Sequence, residues 1–170
     1  MSIKIAITGP ESAGKTTLAQ ILALHYHTSW VPEFARDYLS KLNRPYTPED
    51  LNIIAKGQLE AESSLTSSSG AILICDTDMT VIKVWSEYRY GFCDKLINDA
   101  FEKQHYELYL LCRPDFDWEP DPLRENPNDR ELLFEKYESA LLAKKVNYAI
   151  IEGTAVERIA QAIVAIDQLL

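Results

Sequence analysis

Sulfur and imidazole are scarce in this sequence, with three cysteines and three histidines among 170 residues. Cys75, Cys93 and Cys112 are odd in number and form no CxxC or CxxH pairing. His25, His27 and His105 lack metal-site spacing, so no zinc centre is predicted. Cys75 and Cys112 each end an apolar run and read as small buried residues. Positive charge is also short: 17 Lys and Arg stand against 26 Asp and Glu, a formal net charge of -9. That balance argues against general binding to nucleic acid, whose affinity rests on neutralising phosphates. An anion bound here must be held by local geometry. No apolar run approaches the roughly 20 residues that cross a bilayer. The apolar start is broken by Lys4 and Gly9 where a signal peptide needs a continuous segment and a cleavage site. The expectation is a cytoplasmic chain with no membrane partner.

What is present is an alternation of strand and helix signals from end to end. Apolar runs predict strands at 3–8, 30–31, 71–75, 106–112 and 147–151. Between them lie helix patterns. The first carries Leu18, Ile21, Leu22 and His25 on one face, and the second covers 34–42. Thr47-Pro48-Glu49-Asp50 opens a third, running to about Ser63, with a capping hydroxyl, Pro at the first helical position and acids at the positive dipole end. Residues 63–70 read as a Ser-rich connection. Helices are expected around 77–88 and 94–103. Another is capped by Asn128 or Asp129, with Leu133, Tyr137, Ala140 and Leu141 on its apolar face. A last one opens on a Thr154…Glu157 capping box, with Val156, Ile159, Ile163, Ile166 and Leu170 on one face. Residues 113–128 hold four prolines and no periodicity, and loops of that length inside a domain are usually functional or disordered. Strands alternating with helices imply one α/β domain over 1–170, a parallel sheet with helices on both faces, and right-handed crossovers. The pattern does not fix the strand order.

Gly9-Pro10-Glu11-Ser12-Ala13-Gly14-Lys15-Thr16 matches G-x-x-x-x-G-K-[ST], directly after a strand and before an amphipathic helix, the P-loop setting. Its glycines let the backbone curl so that successive N–H groups face phosphate oxygens, and the helix start adds its positive end. Lys15 supplies a mobile cation for the β- and γ-phosphates, the Thr16 hydroxyl a ligand for Mg²⁺, and Thr17 sits near the α-phosphate. ATP with Mg²⁺ is the expected cofactor, and backbone amides let an acidic protein hold it.

Ligands of open parallel sheets bind beyond the carboxyl ends of the strands. There the second strand is followed by Glu33 and Arg36, candidates to orient an acceptor hydroxyl and to grip an anion. Asp76 ends the third strand in the Walker-B position of a metal ligand, and Asp78 reads as a helix-start acid able to share that shell. After the fourth strand, a lid segment at 113–130 carries Arg113, Arg124 and Arg130. Trp85, Tyr88, Tyr90 and Trp118 offer flat faces for a ring, and at most two of the four are expected to touch substrate. Gly153-Thr154 opens a turn where an adenine edge fits.

Taken together, GPESAGKTTL, VPEFARDYL, the IIAKGQ helix, ILICDTD, YELYLLCRPD-x-x-W and LRE resemble the ribosylnicotinamide kinase domain of NadR-type NAD-biosynthesis regulators and related AAA-like small ATP-binding domains. The resemblance runs from about Ile3 to Ile163. It implies a P-loop kinase sheet of order 2-3-1-4-5, ATP with Mg²⁺, and phosphorylation of the 5′-hydroxyl of nicotinamide riboside. It places Glu33 and Arg36 toward the riboside, Asp76 toward metal or hydroxyl, and Arg124 on the lid. The sequence lacks the H-x-G-H motif of that family's adenylyltransferase domain, so no second activity is expected. Its EPDPLRENPNDR lid segment is rich in proline. A kinase for another nucleoside or metabolite, and an ATPase switch with no acceptor, remain the alternatives.

Overall fold

The computed structural model describes residues 3–66 and 70–170. Five strands, β1 (Ile3–Thr8), β2 (Trp30–Val31), β3 (Ile72–Asp76), β4 (Leu108–Cys112) and β5 (Tyr148–Ile151), pair in parallel in the order β2-β3-β1-β4-β5. The order implied by the resemblance is the one observed. β3 reaches one residue past its predicted end, so Asp76 lies within the strand opposite Ile7.

The helices are α1 (Lys15–His25), α2 (Phe34–Ser40), α3 (Pro48–Thr66), α4 (Met79–Tyr90), α5 (Lys95–Lys103), α6 (Arg130–Lys144) and α7 (Ala155–Asp167). Successive strand residues point to opposite faces, and the core divides accordingly. Ile5, Ile7, Ile72, Ile74, Leu108 and Leu110 pack on Leu18 and Leu22 of α1 and Ile166 of α7. Ala6, Leu73, Cys75, Tyr109 and Leu111 face Val84 of α4 and Phe134, Tyr137 and Leu141 of α6. A further cluster joins α2, α3, α4 and α5 through Ala35, Ile54, Met79 and Ile97. Each fully buried aliphatic side chain contributes about 1.5–3 kcal/mol. Burial of Cys112 pushes its thiol up to about 11, and Cys75 is likewise buried and free. Among the described residues, no helix is long and apolar enough to cross a membrane.

Several predicted details differ. Residues 63–66 continue α3 instead of opening a loop, while 67–69 lie outside the described residues. His25 is exposed at the end of α1, where its ring meets Tyr26 edge-on. Val156 of α7 is exposed, because the buried stripe is Arg158, Ala162 and Ile166, two positions away, and Leu170 lies exposed beyond the helix end. Asp129 precedes α6 but caps no amide; its carboxylate accepts the Tyr88 hydroxyl instead, at 2.6 Å. The Thr154–Glu157 capping box is present as read.

The start of α3 carries a consequence for pH. Buried Asp50 accepts hydrogen bonds from Arg44 (2.7 Å), the Tyr38 hydroxyl (2.6 Å) and the Thr47 amide (2.7 Å). The Arg44 bond, above all, holds its carboxyl well below the ordinary 3.8. A depressed folded-state pKa gives stability that is present above the ordinary value and lost as the pH falls below it. Acid titration should therefore lower the melting temperature of the native chain from about pH 4 downward more steeply than that of Asp50→Asn. Parallel melting curves for the two chains would rule this out.

Candidate functional site

The parallel sheet brings the loops after all its strands to one edge, where they enclose a cleft of about 600 Å³, the size of small-molecule sites. Residues 9–17 form its floor, so Gly9, Glu11, Ser12, Ala13, Gly14, Lys15, Thr16 and Thr17 all line it. Gly9 has φ 132°, and a Cβ there would stand 2.7 Å from the Cys112 carbonyl oxygen of β4. Only glycine fits both the backbone and the gap. Lys15 Nζ donates to the Pro10 carbonyl at 2.7 Å.

Asp76 lies beneath this loop, fully buried. Its Oδ2 accepts the Thr16 hydroxyl at 2.6 Å, while its Oδ1 is buried without a partner. Burial raises its pKa to about 6; the Glu33 charge adds to the rise, and Thr16, Lys15 and Arg36 oppose it. One carboxylate thus feels the cradle lysine and both candidate acceptor residues. The next residue, Thr77, has φ 86°, a left-handed conformation that costs a β-branched side chain on the order of 1–3 kcal/mol. Its amide donates to the Ile7 carbonyl at 3.0 Å, which fixes the turn.

Glu33 is the residue before α2 and lines the cleft. The turn that presents it is held by Gln58 of α3, whose Oε1 accepts the Phe34 amide at 2.8 Å and whose Nε2 donates to the Pro32 carbonyl at 3.4 Å. Gly57 permits this approach, because a Cβ there would lie 2.3 Å from the Phe34 ring. Arg36 lines the cleft and donates to Asp121 at 2.9 Å. Trp85 and Tyr88 form part of the wall, and the Trp85 indole donates to the Tyr46 hydroxyl at 3.0 Å.

Other predicted residues lie elsewhere. Asp78 does not line the cleft; it is buried as the N-cap of α4, accepting from the Thr80 amide and hydroxyl at 3.0 and 2.5 Å. Trp118 also stands outside, 5.7 Å from the Arg130 guanidinium carbon. Tyr90 packs on Tyr46 and donates to its carbonyl. Arg113 turns to Glu152 (2.7 Å) and the Phe134 ring. The polar groups of Gly153 are occupied by Asp115 and Arg158, so the turn where an adenine edge was expected is tied to the protein.

Residues 113–129 lie over the cradle and are attached to it. Arg124 donates to Ser12 Oγ (3.4 Å) and to the Glu119 carbonyl (2.5 Å). The Glu11 carboxylate accepts the amides of Glu125 and Asn126, both at 3.0 Å. Arg130 donates to the carbonyls of Ser12 (3.1 Å) and Phe116 (2.8 Å). Sequence reasoning placed Glu11 in the cradle but not as a lid anchor. It missed Arg158 of α7, which is 4% exposed and donates to Ala13 and Gly153 carbonyls at 3.0 Å. The signal was available, since Arg158, Ala162 and Ile166 share the buried face at helical spacing.

The donor set suits a hard divalent cation. Thr16 and Asp76 offer oxygen, one carboxylate oxygen has no partner, and the P-loop leaves room for phosphates to supply the remaining ligands. Among the described residues, no three His, Cys, Asp or Glu side chains converge on a metal site of their own.

Comparison with known proteins adds relatives to this geometry. A profile of the AAA domain family matches residues 4–158. The trifunctional NAD biosynthesis/regulator protein NadR of Escherichia coli (strain K12) is 25% identical over 126 residues, which are 71% of this chain and 30% of that protein. The Salmonella typhimurium protein of the same name gives the same identity and coverage. The chain therefore spans less than a third of the length of these curated relatives. Among solved structures, NadR protein in complex with NR superposes with a TM-score of 0.85 at 23% identity, covering 98% of this chain and 51% of that one. Thymidylate kinase from Ehrlichia chaffeensis superposes at 0.67 with 16% identity, covering 99% and 97%. At these identities the structural likeness is one of fold alone.

Proposed function

The chain belongs to the AAA domain family, and we propose that it is an ATP-dependent kinase of a small nucleoside-like acceptor, nicotinamide riboside before others. The observation that carries this is the lining of one cleft: Lys15 and Thr16 of the phosphate floor share it with Glu33 and Arg36, and the Thr16 hydroxyl donates to the buried Asp76 carboxylate. A phosphate donor and an acceptor hydroxyl held in the same cleft need little else, because phosphoryl transfer depends on positioning and charge stabilisation.

In this reading the amides of residues 9–17 and Lys15 hold the ATP triphosphate, and Arg124 approaches from the lid. Thr16 and Asp76 would hold Mg²⁺, which when bound neutralises charge on the β- and γ-phosphates. Glu33 orients the acceptor hydroxyl and takes its proton as the oxygen bonds to the γ-phosphorus. The bond from that phosphorus to the β–γ bridging oxygen breaks, and ADP leaves. Trp85 and Tyr88 with the nearby acids Glu33 and Glu125 suit a cationic ring, which an aromatic face attracts. The pyridinium of nicotinamide riboside is such a ring. The solved relative in complex with NR supports this choice of acceptor, as does the NAD-biosynthesis role in the name of the curated relative.

The test is ADP release with nicotinamide riboside and with uncharged ribosides, for wild type and Glu33→Gln. Wild type should be stimulated most by nicotinamide riboside. Glu33→Gln should lose about 100-fold in that stimulation, within the range of general-base removal, with ATP affinity unchanged. Slow hydrolysis indifferent to every riboside and to Glu33 would mark an ATPase switch and end the kinase reading.

A further inference from the structure

We propose that Arg158 is a positioning residue for the phosphate cradle, fixing the direction of the Gly14 amide by holding the Ala13 carbonyl from behind. The inference rests on the reading that residues 9–16 take polyphosphate. In a trans peptide the carbonyl of one residue and the N–H of the next point in opposite directions, and no cis peptide occurs among the described residues. Arg158 Nη1 donates to the Ala13 oxygen at 3.0 Å in a buried hydrogen bond. With that oxygen drawn toward α7, the Gly14 N–H is turned the other way. Arg130 acts alike one peptide earlier, donating to the Ser12 oxygen at 3.1 Å and so directing the Ala13 N–H.

Two consecutive amides aimed into one concavity make an anion nest. A flipped peptide would replace a donor with a carbonyl oxygen and repel phosphate. Ser12 already has φ 53°, a conformation of limited stability for a non-glycine residue, so the loop gains from an external restraint.

The choice of arginine follows from the number of partners. Its fork of donors reaches the Ala13 and Gly153 carbonyls, the Arg113 carbonyl and the Asp115 carboxylate at once, and its guanidinium carbon lies 4.2 Å from the Phe116 ring centre. Asp115 balances the buried charge and also accepts the Gly153 amide at 2.6 Å. Four of its five N–H groups are engaged by protein oxygens, three of them backbone carbonyls, so its hold on the peptide is what shapes the cradle. A lysine there could satisfy only part of this set.

The experiment compares wild type with Arg158→Met, Arg158→Lys and Asp115→Asn. Binding of inorganic tripolyphosphate is read by calorimetry well below each melting point, and the Gly14 amide by ¹⁵N–¹H spectra of the ligand-free chains. Arg158→Met should bind tripolyphosphate about 10–100-fold more weakly, the scale of a lost charge-assisted hydrogen bond. Arg158→Lys should recover part of that loss, and Asp115→Asn, exposed and outside the loop, should fall between wild type and Arg158→Met. The Gly14 resonance should broaden or double in Arg158→Met, which a loss of stability alone does not produce. Wild-type affinity with an unchanged Gly14 resonance in Arg158→Met overturns the proposal. If that variant does not fold, the same result in Arg158→Lys and Asp115→Asn overturns it. A wild-type chain that binds no tripolyphosphate removes the cradle reading and this inference with it.

Discussion

Asp76→Asn should melt a few degrees later than wild type at pH 8 and transfer phosphate about a thousandfold more slowly. Both effects come from one charge. Burial holds the Asp76 pKa up to about 6, above its ordinary 3.8. A raised folded-state value means that stability present at low pH is lost as the pH rises through 6, where the buried carboxylate must ionise. Asparagine removes that cost, and its side-chain oxygen still accepts the Thr16 hydroxyl. It also removes the negative charge that would help hold Mg²⁺, so the gain in stability and the loss of turnover should appear together. Thermal melts at pH 5 and pH 8 beside single-turnover transfer decide the matter. An unchanged rate would reduce Asp76 to a structural residue, and a lower melting point at pH 8 would show that the carboxylate stabilises the fold.

Lys15→Ala should abolish measurable turnover, by about a thousandfold or more, and weaken Mg·ATP binding, while the melting temperature stays within a degree or two. The side chain is only partly buried, and it makes one hydrogen bond, to the Pro10 carbonyl at 2.7 Å. Its loss should therefore register on the ligand and hardly on the fold. Calorimetry and a turnover assay on the same preparation separate the two. ATP turnover at the wild-type rate would refute the cradle assignment. A collapse of the melting curve would show that the lysine supports the loop itself.

How much of this was legible from the residues depended on whether a signal was local. The cradle is contiguous, and its glycines, lysine and threonine declare their geometry through spacing, so it is found where it was read. Glu33, Arg36 and Trp85 each follow a strand or lie on the helix after one, Asp76 ends a strand and reaches the cradle through Thr16, and a parallel sheet gathers such positions at one edge. Asp78 was ambiguous, because an acid before a helix serves equally as ligand or cap. Two residues of chain decide, and Thr77, in its left-handed turn, sends Asp78 to the Thr80 amide. The lid arginines were not separable by sequence, since three similar side chains in one segment go to Glu152, Ser12 Oγ and the Ser12 carbonyl according to tertiary contacts alone. Arg158 escaped because the helix was read as an apolar stripe, with a face offset toward Val156.

The strand order has a consequence for how the chain acquires its site. β1 is the middle strand, yet it precedes the other four in sequence, and its neighbours β3 and β4 come much later in the chain. Such non-local pairing carries a large loop-closure entropy and slows folding. The cradle follows β1 directly, but its peptide contacts with Arg130 and Arg158 wait for α6 and α7, which lie far later in the chain. A nascent chain released before α7 therefore has the complete phosphate-binding sequence without the scaffold that shapes it. Polyphosphate that binds only the finished cradle is linked to the whole folding equilibrium, so adding it should slow proteolysis near both termini alike.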